Sequence, residues 1–149
     1  MNFDKKQTRI INRRTQEILS EDIERIMTII YDSLTGLCKS FAESLGYPCI
    51  DINDEQALNY EETYFLVTRC VNFGQVTEEA ALFLNKHHKQ VIGVACGGNR
   101  NWGENYAVAG DKIEKVCGIP CVVKFEAMGF PHEREIAKSF ISDYVNSAE

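Results

Sequence analysis

The stretch Thr28-Ile-Ile-Tyr-Asp-Ser-Leu-Thr-Gly36 changes character at its midpoint. Its first half is β-branched and aromatic, as a buried strand requires. Its second half is rich in hydroxyls, ends in glycine, and runs into a helical segment, Leu37 to Leu45, closed by Gly46 and Pro48. A strand feeding a helix through a short polar loop is the opening unit of a parallel α/β sheet.

The same beat recurs outward from this stretch. Cys49-Ile-Asp-Ile52 reads as a shorter strand, and an acidic connector, Asn53 to Thr63, leads to the strand Tyr64-Phe-Leu-Val-Thr68. The loop Val71 to Val76 then opens a helix at Thr77, with Glu78 and Glu79 favouring its first turn. In the second half, Gln90 to Ala95 is a central strand and Gly97 to Gly103 a glycine-rich loop. Glu104 to Cys117 is helical and ends at Gly118 and Pro120; Cys121 to Phe125 is the last strand and Glu133 to Val145 the last helix. Alternating strands and helices predict a five-stranded parallel sheet with helices on both faces. The expected strand order is 2-1-3-4-5.

No repeat or linker divides residues 27–149, which read as one domain. Residues 1–26 stand apart as an N-terminal extension, partly helical by the spacing of Ile18, Leu19, Ile23 and Ile26, with Ser20 as a cap. A chain starting at Met27 would still hold the whole domain. Its first residues are basic but lack an apolar core, so no secretory signal is expected, and the acids from Glu17 onward argue against a transit peptide. No apolar run reaches the length of a membrane span.

The formal charge of −6 and the interleaving of bases with acids argue against a nucleic-acid surface. The six cysteines contain no CxxC pair and suit neither a zinc ribbon nor a disulfide scaffold. They read as reduced residues of a cytoplasmic protein.

In open parallel sheets, ligands bind beyond the carboxyl ends of the strands, where the strand order reverses. Three loops meet there. In the first, Ser33, Thr35 and Gly36 precede a helix N-terminus, which suits a phosphate dianion, or simply caps the helix. In the second, Val71-Asn-Phe-Gly-Gln-Val76, the aromatic Phe73 and Gly74 could approach a planar ring, or form a plain turn. The third, Gly97-Gly-Asn-Arg-Asn-Trp-Gly103, carries the chain's one Trp beside Gly98 and Asn99. Cys70 and Cys96 end their strands close to this crevice, but none of the three loops holds a His to activate a thiol. No carboxylate pair or metal-ligand cluster emerges, so neither a catalytic side chain nor a metal is expected.

Ile29 to Gly36, Asn72-Phe-Gly-Gln-Val76 and Gly98-Asn-Arg-Asn-Trp-Gly103, with Tyr106, Gly110-Asp111, Lys124-Phe-Glu126 and Met128-Gly129, resemble the NrdI family of flavodoxins. The resemblance implies a flavodoxin-like fold, FMN as cofactor, and the small (beta) subunit of class Ib ribonucleotide reductase as partner. A flavin or ferredoxin-type reductase would supply electrons. The flavin would carry the chemistry, reacting when reduced with O2 to give superoxide for assembly of the dimanganese-tyrosyl radical cofactor.

Carried over by position, Ser33, Leu34, Thr35, Gly36, Leu37 and Cys38 would hold the FMN phosphate. Cys70, Val71, Asn72, Phe73 and Gly74 would border one side of the isoalloxazine, and Gly98, Asn99, Trp102 and Gly103 the other. Leu37, Arg69-Cys70-Val71, Thr77 and Cys96-Gly97 depart from the family's usual residues. Arg100 and Arg69 lie in the crevice loops with no Asp or Glu between Arg69 and Val76 or between Gly97 and Gly103, which favours an anionic reduced flavin. A general one-electron carrier flavodoxin is the alternative, and an interaction domain without cofactor a second.

Overall fold

The computed structural model describes residues 27–147. The N-terminal extension expected at residues 1–26 lies outside them. In chain order the elements are β1 (Thr28–Tyr31), α1 (Leu37–Glu43), β2 (Cys49–Asp51), α2 (Glu55–Leu58), β3 (Tyr64–Val71), β4 (Gln75–Val76) and α3 (Glu78–His87). They are followed by β5 (Val91–Gly97), a 3-10 turn (Arg100–Asn105), α4 (Val108–Cys117), β6 (Cys121–Phe125) and α5 (Pro131–Ser147).

The five parallel strands run in the order β2-β1-β3-β5-β6, which is the expected 2-1-3-4-5 arrangement, and β4 hangs off β3. The flavodoxin-like α/β fold is therefore present. Strand alternation builds one core on each face. Ile29, Phe65, Val67 and Phe125 face α1 and α5, where Phe41, Leu45, Ala137 and Ile141 cover them. Ile30, Tyr64, Leu66 and Val94 face α3 and α4, meeting Phe83, Leu84 and Ile113. On the first face Phe41 stacks on Phe125 with ring centroids 4.0 Å apart and planes 9° from parallel. That contact ties α1 to the edge strand directly beneath the sheet's carboxyl edge.

The helix ends follow from local chemistry. Thr77 caps α3 by accepting from Ala80 N at 3.0 Å. The α4 helix stops at Gly118, whose φ of 73° no β-carbon-bearing residue adopts cheaply. Pro131 occupies the first turn of α5, and Glu133 reaches back to accept from Phe130 N at 2.8 Å. This cap starts α5 two residues before the expected Glu133.

Three other boundaries differ from expectation, each for a tertiary reason. The acidic connector holds a single helical turn, α2, whose Ala57 is fully buried in the second core. Strand β3 continues past Thr68 to Val71 because β4 pairs with it, Cys70 opposite Val76 and Val71 opposite Gln75. The helix expected from Glu104 is broken at Gly103 (φ 56°, ψ −118°) and Ala107 (φ 51°), so α4 begins only at Val108. Among the described residues no helix is long and apolar enough to cross a membrane.

Candidate functional site

The carboxyl ends of β1, β3, β5 and β6 surround a cavity of about 250 Å³. Strand order reverses between β1 and β3, so the loops after these strands diverge and leave a crevice. Ser33, Leu34, Thr35, Leu37 and Cys38 form one wall, Arg69 and Cys70 the middle, and Gly97, Gly98, Asn99 and Trp102 the opposite wall. Phe125 and Ala127 close it from the last strand.

The first wall is a tight turn into α1. Gly36 is left-handed at φ 94°, and its N–H donates to Ser33 Oγ at 3.0 Å. Ser33 keeps its own O–H to donate. The first amides of α1 have no acceptor within the helix.

Beneath this turn Asp32 is buried, 1% exposed. Its carboxylate accepts from Thr68 Oγ1 at 3.1 Å and from Thr77 Oγ1, and lies 3.6 Å from Arg69 Nε. Thr77 thus caps α3 and braces Asp32 at once. Arg69 Nε has no hydrogen-bond partner, although the side chain lines the cavity.

The second loop is a three-residue hairpin turn between Val71 and Gln75, with Asn72 at φ 53° and Gly74 at φ 100°. Asn72 Nδ2 donates to Gln75 Oε1 at 3.0 Å. A β-carbon on Gly74 would lie 2.1 Å from Val108 Cγ1. Glycine there lets the hairpin close on α4 rather than approach a ring. Val71, Asn72, Phe73 and Gly74 do not line the cavity, nor do Gly36 and Gly103. Phe73, 72% exposed, instead meets Trp102 at the rim, ring centroids 5.7 Å apart and planes tilted by 53°.

The third loop is clamped from outside. Asn99 Oδ1 accepts from Asn101 N at 2.8 Å. Arg100 turns away from the cavity and donates to Glu126 Oε1 at 3.3 Å and Glu133 Oε2 at 2.6 Å, stacking over Tyr106 at 5.0 Å. Its charge is answered by two carboxylates, so it is not the free cation at the crevice that the loop's own sequence suggests.

Gly98 packs at close range on Ala107: a β-carbon there would come 2.6 Å from Ala107 N and 2.9 Å from its Cα. Gly98→Ala is therefore expected to push the third loop into the cavity and to cost about 2 kcal/mol of stability. Urea unfolding of the variant measures it; a loss under about 0.5 kcal/mol would mean that the loop shifts freely.

The cavity thus gathers Ser33, Leu34, Thr35, Leu37, Cys38, Cys70, Gly98, Asn99 and Trp102 from the predicted residues. Phe125 and Ala127 were not predicted. Their signal is positional, since the loop after β6 must lie beside the loop after β5 in a parallel sheet.

The thiols differ sharply. Burial, with Asp32 nearby, pushes Cys38 up to about 12, and burial holds Cys121 at about 11. Cys70 moves the other way. Its Sγ lies 3.9 Å from Cys96 Sγ, and a hydrogen bond from the Cys96 thiol stabilises the Cys70 thiolate and lowers its pKa. Among the described residues no group of three His, Cys, Asp or Glu side chains is placed to hold a metal.

The fold resembles that of Flavodoxin 2 from Bacillus cereus, with a TM-score of 0.56 at 16% identity over 81% of this chain and 98% of that one. A WrbA-like flavodoxin from Agrobacterium tumefaciens aligns with a TM-score of 0.55 at 14% identity, covering 82% of this chain and 96% of that one. In sequence the chain is 40% identical over 103 residues to protein NrdI of Macrococcus caseolyticus, covering 69% of this chain and 79% of the relative. It is 37% identical over 103 residues to the SPbeta prophage-derived protein NrdI of Bacillus subtilis, covering 66% of this chain and 78% of the relative. The pattern of the family described as "NrdI Flavodoxin like" matches residues 29–138, from the first strand into the last helix, and the chain belongs to that family.

Proposed function

We infer that the cavity binds FMN and that the protein serves a class Ib ribonucleotide reductase, passing to its small subunit an oxidant made from O2. The observation that carries this reading is the cavity itself, set at the strand-order reversal of a NrdI-family chain.

The residues present suit the cofactor. The turn from Ser33 to Gly36 offers a hydroxyl donor and leads to the unpaired first amides of α1, which together suit the phosphate. Arg69 lines the cavity, its buried Nε making no hydrogen bond and standing 3.6 Å from Asp32, so it places a cation beside the ligand. Trp102 offers an aromatic face, and Gly97 and Gly98 bring the backbone of the third loop to the cavity wall. At about 250 Å³ the cavity is smaller than the roughly 300–1,000 Å³ of enclosing ligand pockets. A ligand there stays partly in contact with solvent.

When bound, the flavin supplies the electron transfer to O2. The chain's part is to hold the phosphate at the first loop, orient the ring between the end of β3 (Arg69 and Cys70) and the third loop, and set the local charge. Arg69 faces Asp32 at 3.6 Å, so the charge beside the cavity is a cation offset by a buried carboxylate rather than a surplus of acid.

The deciding experiment starts with the absorption spectrum and FMN affinity of the purified protein. A stepwise reductive titration and air exposure with a superoxide trap follow, with and without the manganese-loaded small subunit. Flavin bound in the cavity, readily reoxidised, with radical formed in the partner, is the expected result. A reduced flavin formed only at very negative potential, with no radical in the partner, favours the general electron carrier. A protein that binds no flavin overturns the reading.

A further inference from the structure

Cys70 and Cys96 sit on adjacent strands with their sulfurs 3.9 Å apart, in contact but not bonded. Their exposures differ. Cys70 lines the cavity, whereas Cys96 is fully buried behind it. The α4 helix seals Cys96 from the other side: a β-carbon on Gly110 would come 2.9 Å from Cys96 Cβ. Solvent therefore meets Cys70 first, and Cys96 can be reached through Cys70.

Register between β3 and β5 ends at Arg69 opposite Gly97, so Cys70 lies one residue beyond the parallel ladder. It belongs to the β3–β4 hairpin, and closing the sulfurs from contact to the roughly 2.05 Å of a disulfide requires that hairpin to move toward β5.

We propose that Cys70 and Cys96 form a peroxide-reactive dithiol, with Cys70 the attacking sulfur and Cys96 the resolving one. The oxidant is hydrogen peroxide. The Cys70 thiolate attacks one peroxide oxygen, an S–O bond forms, the O–O bond breaks, and the departing hydroxide takes a proton to become water. Cys70 is then a sulfenic acid, oxidised by two electrons. The Cys96 sulfur gives up its proton and attacks the Cys70 sulfur. The S–S bond forms, the S–O bond breaks, and a second water leaves. The disulfide would tie the β3–β4 hairpin to β5 at the cavity wall. This chemistry needs no flavin in the cavity.

Activation comes without a histidine. Once Cys70 is ionised the Cys96 thiol donates to it, the backbone at Ala109 adds a second donor, and Lys112 and Lys124 contribute favourable charge. Opposing these is the burial of Cys70. The shifts resolved for Cys38, Cys49, Cys96, Cys117 and Cys121 are all upward, so Cys70 stands alone among the six.

The test uses the reduced full-length protein treated with hydrogen peroxide and read by mass spectrometry. Expected are a mass loss of about 2 Da and a peptide linking Cys70 to Cys96. Cys96→Ala should abolish the link and leave a sulfenic acid on Cys70 that dimedone traps. An independent readout needs no variant: at pH 6, iodoacetamide should label Cys70 of the wild-type protein about tenfold faster than any other cysteine. In Cys96→Ala that advantage should shrink and the pH profile of labelling at Cys70 should move upward. A disulfide joining a different pair, or Cys70 labelling no faster than its neighbours, overturns the proposal.

Discussion

Thr35→Asp is expected to lower FMN affinity by about a hundredfold or more while leaving riboflavin affinity within about threefold. Thr35 is an exposed residue of the first cavity wall, so its replacement disturbs no core contact. An added carboxylate near a phosphate dianion costs roughly 4 kcal/mol per charge pair at 4 Å in a partly screened site. Solvent at this open turn reduces that, and about 3 kcal/mol remains, which is the hundredfold. Riboflavin lacks the phosphate and escapes the repulsion. Titration of both flavins into wild-type and variant apoprotein separates the two outcomes. Equal affinity of the wild-type protein for FMN and riboflavin would remove the phosphate from the first loop.

The second large effect is on stability. Asp32→Ala is expected to cost about 3 kcal/mol, because it strips the acceptor from two buried hydroxyls and the counter-charge from Arg69. Arg69 is 20% exposed and can turn partly toward water, which places the loss at the lower end of the range for a broken buried pair. Thr77→Val should cost less, about 1–2 kcal/mol, through one hydroxyl to Asp32 and the cap of α3. Urea unfolding of both variants gives the comparison. An Asp32→Ala loss below about 1 kcal/mol would mean that the carboxylate is not what holds β1, β3 and α3 together at the crevice.

The fold was legible because its determinants are local and periodic. Apolar strand cores, glycine and proline after α1 and α4, and acids in the first turn of α3 are written in consecutive residues. The places where expectation and structure part are those where a distant segment intervenes. Thr68 closes the apolar run, yet β3 runs on to Val71 because the hairpin returns to pair with it. Glu104 to Cys117 reads as one helix, yet the chain turns at Gly103 and again at Ala107, so α4 begins only at Val108.

The candidate site divides the same way. Which three loops converge followed from strand order alone, and nine of the predicted residues line one cavity. Which way each side chain turns did not follow. Phe73 and Gly74 carry the residue types for a ring-binding loop, but Gly74 is occupied against Val108 and Phe73 lies at the rim.

Charge shows the division most sharply. By itself the sequence determined that the crevice loops contain two arginines and no acid between Arg69 and Val76 or between Gly97 and Gly103. Tertiary structure decided what those charges are worth. It set Glu126 and Glu133, from the end of β6 and the start of α5, against Arg100, and buried Asp32 against Arg69. In the same way it brought Cys96 within 3.9 Å of Cys70 and so provided the donor that no neighbouring histidine supplies. The physical reason is common to all of these. Helix and strand preferences act over a few consecutive residues, whereas electrostatic and thiol chemistry depends on distances of a few ångströms between groups far apart in the chain.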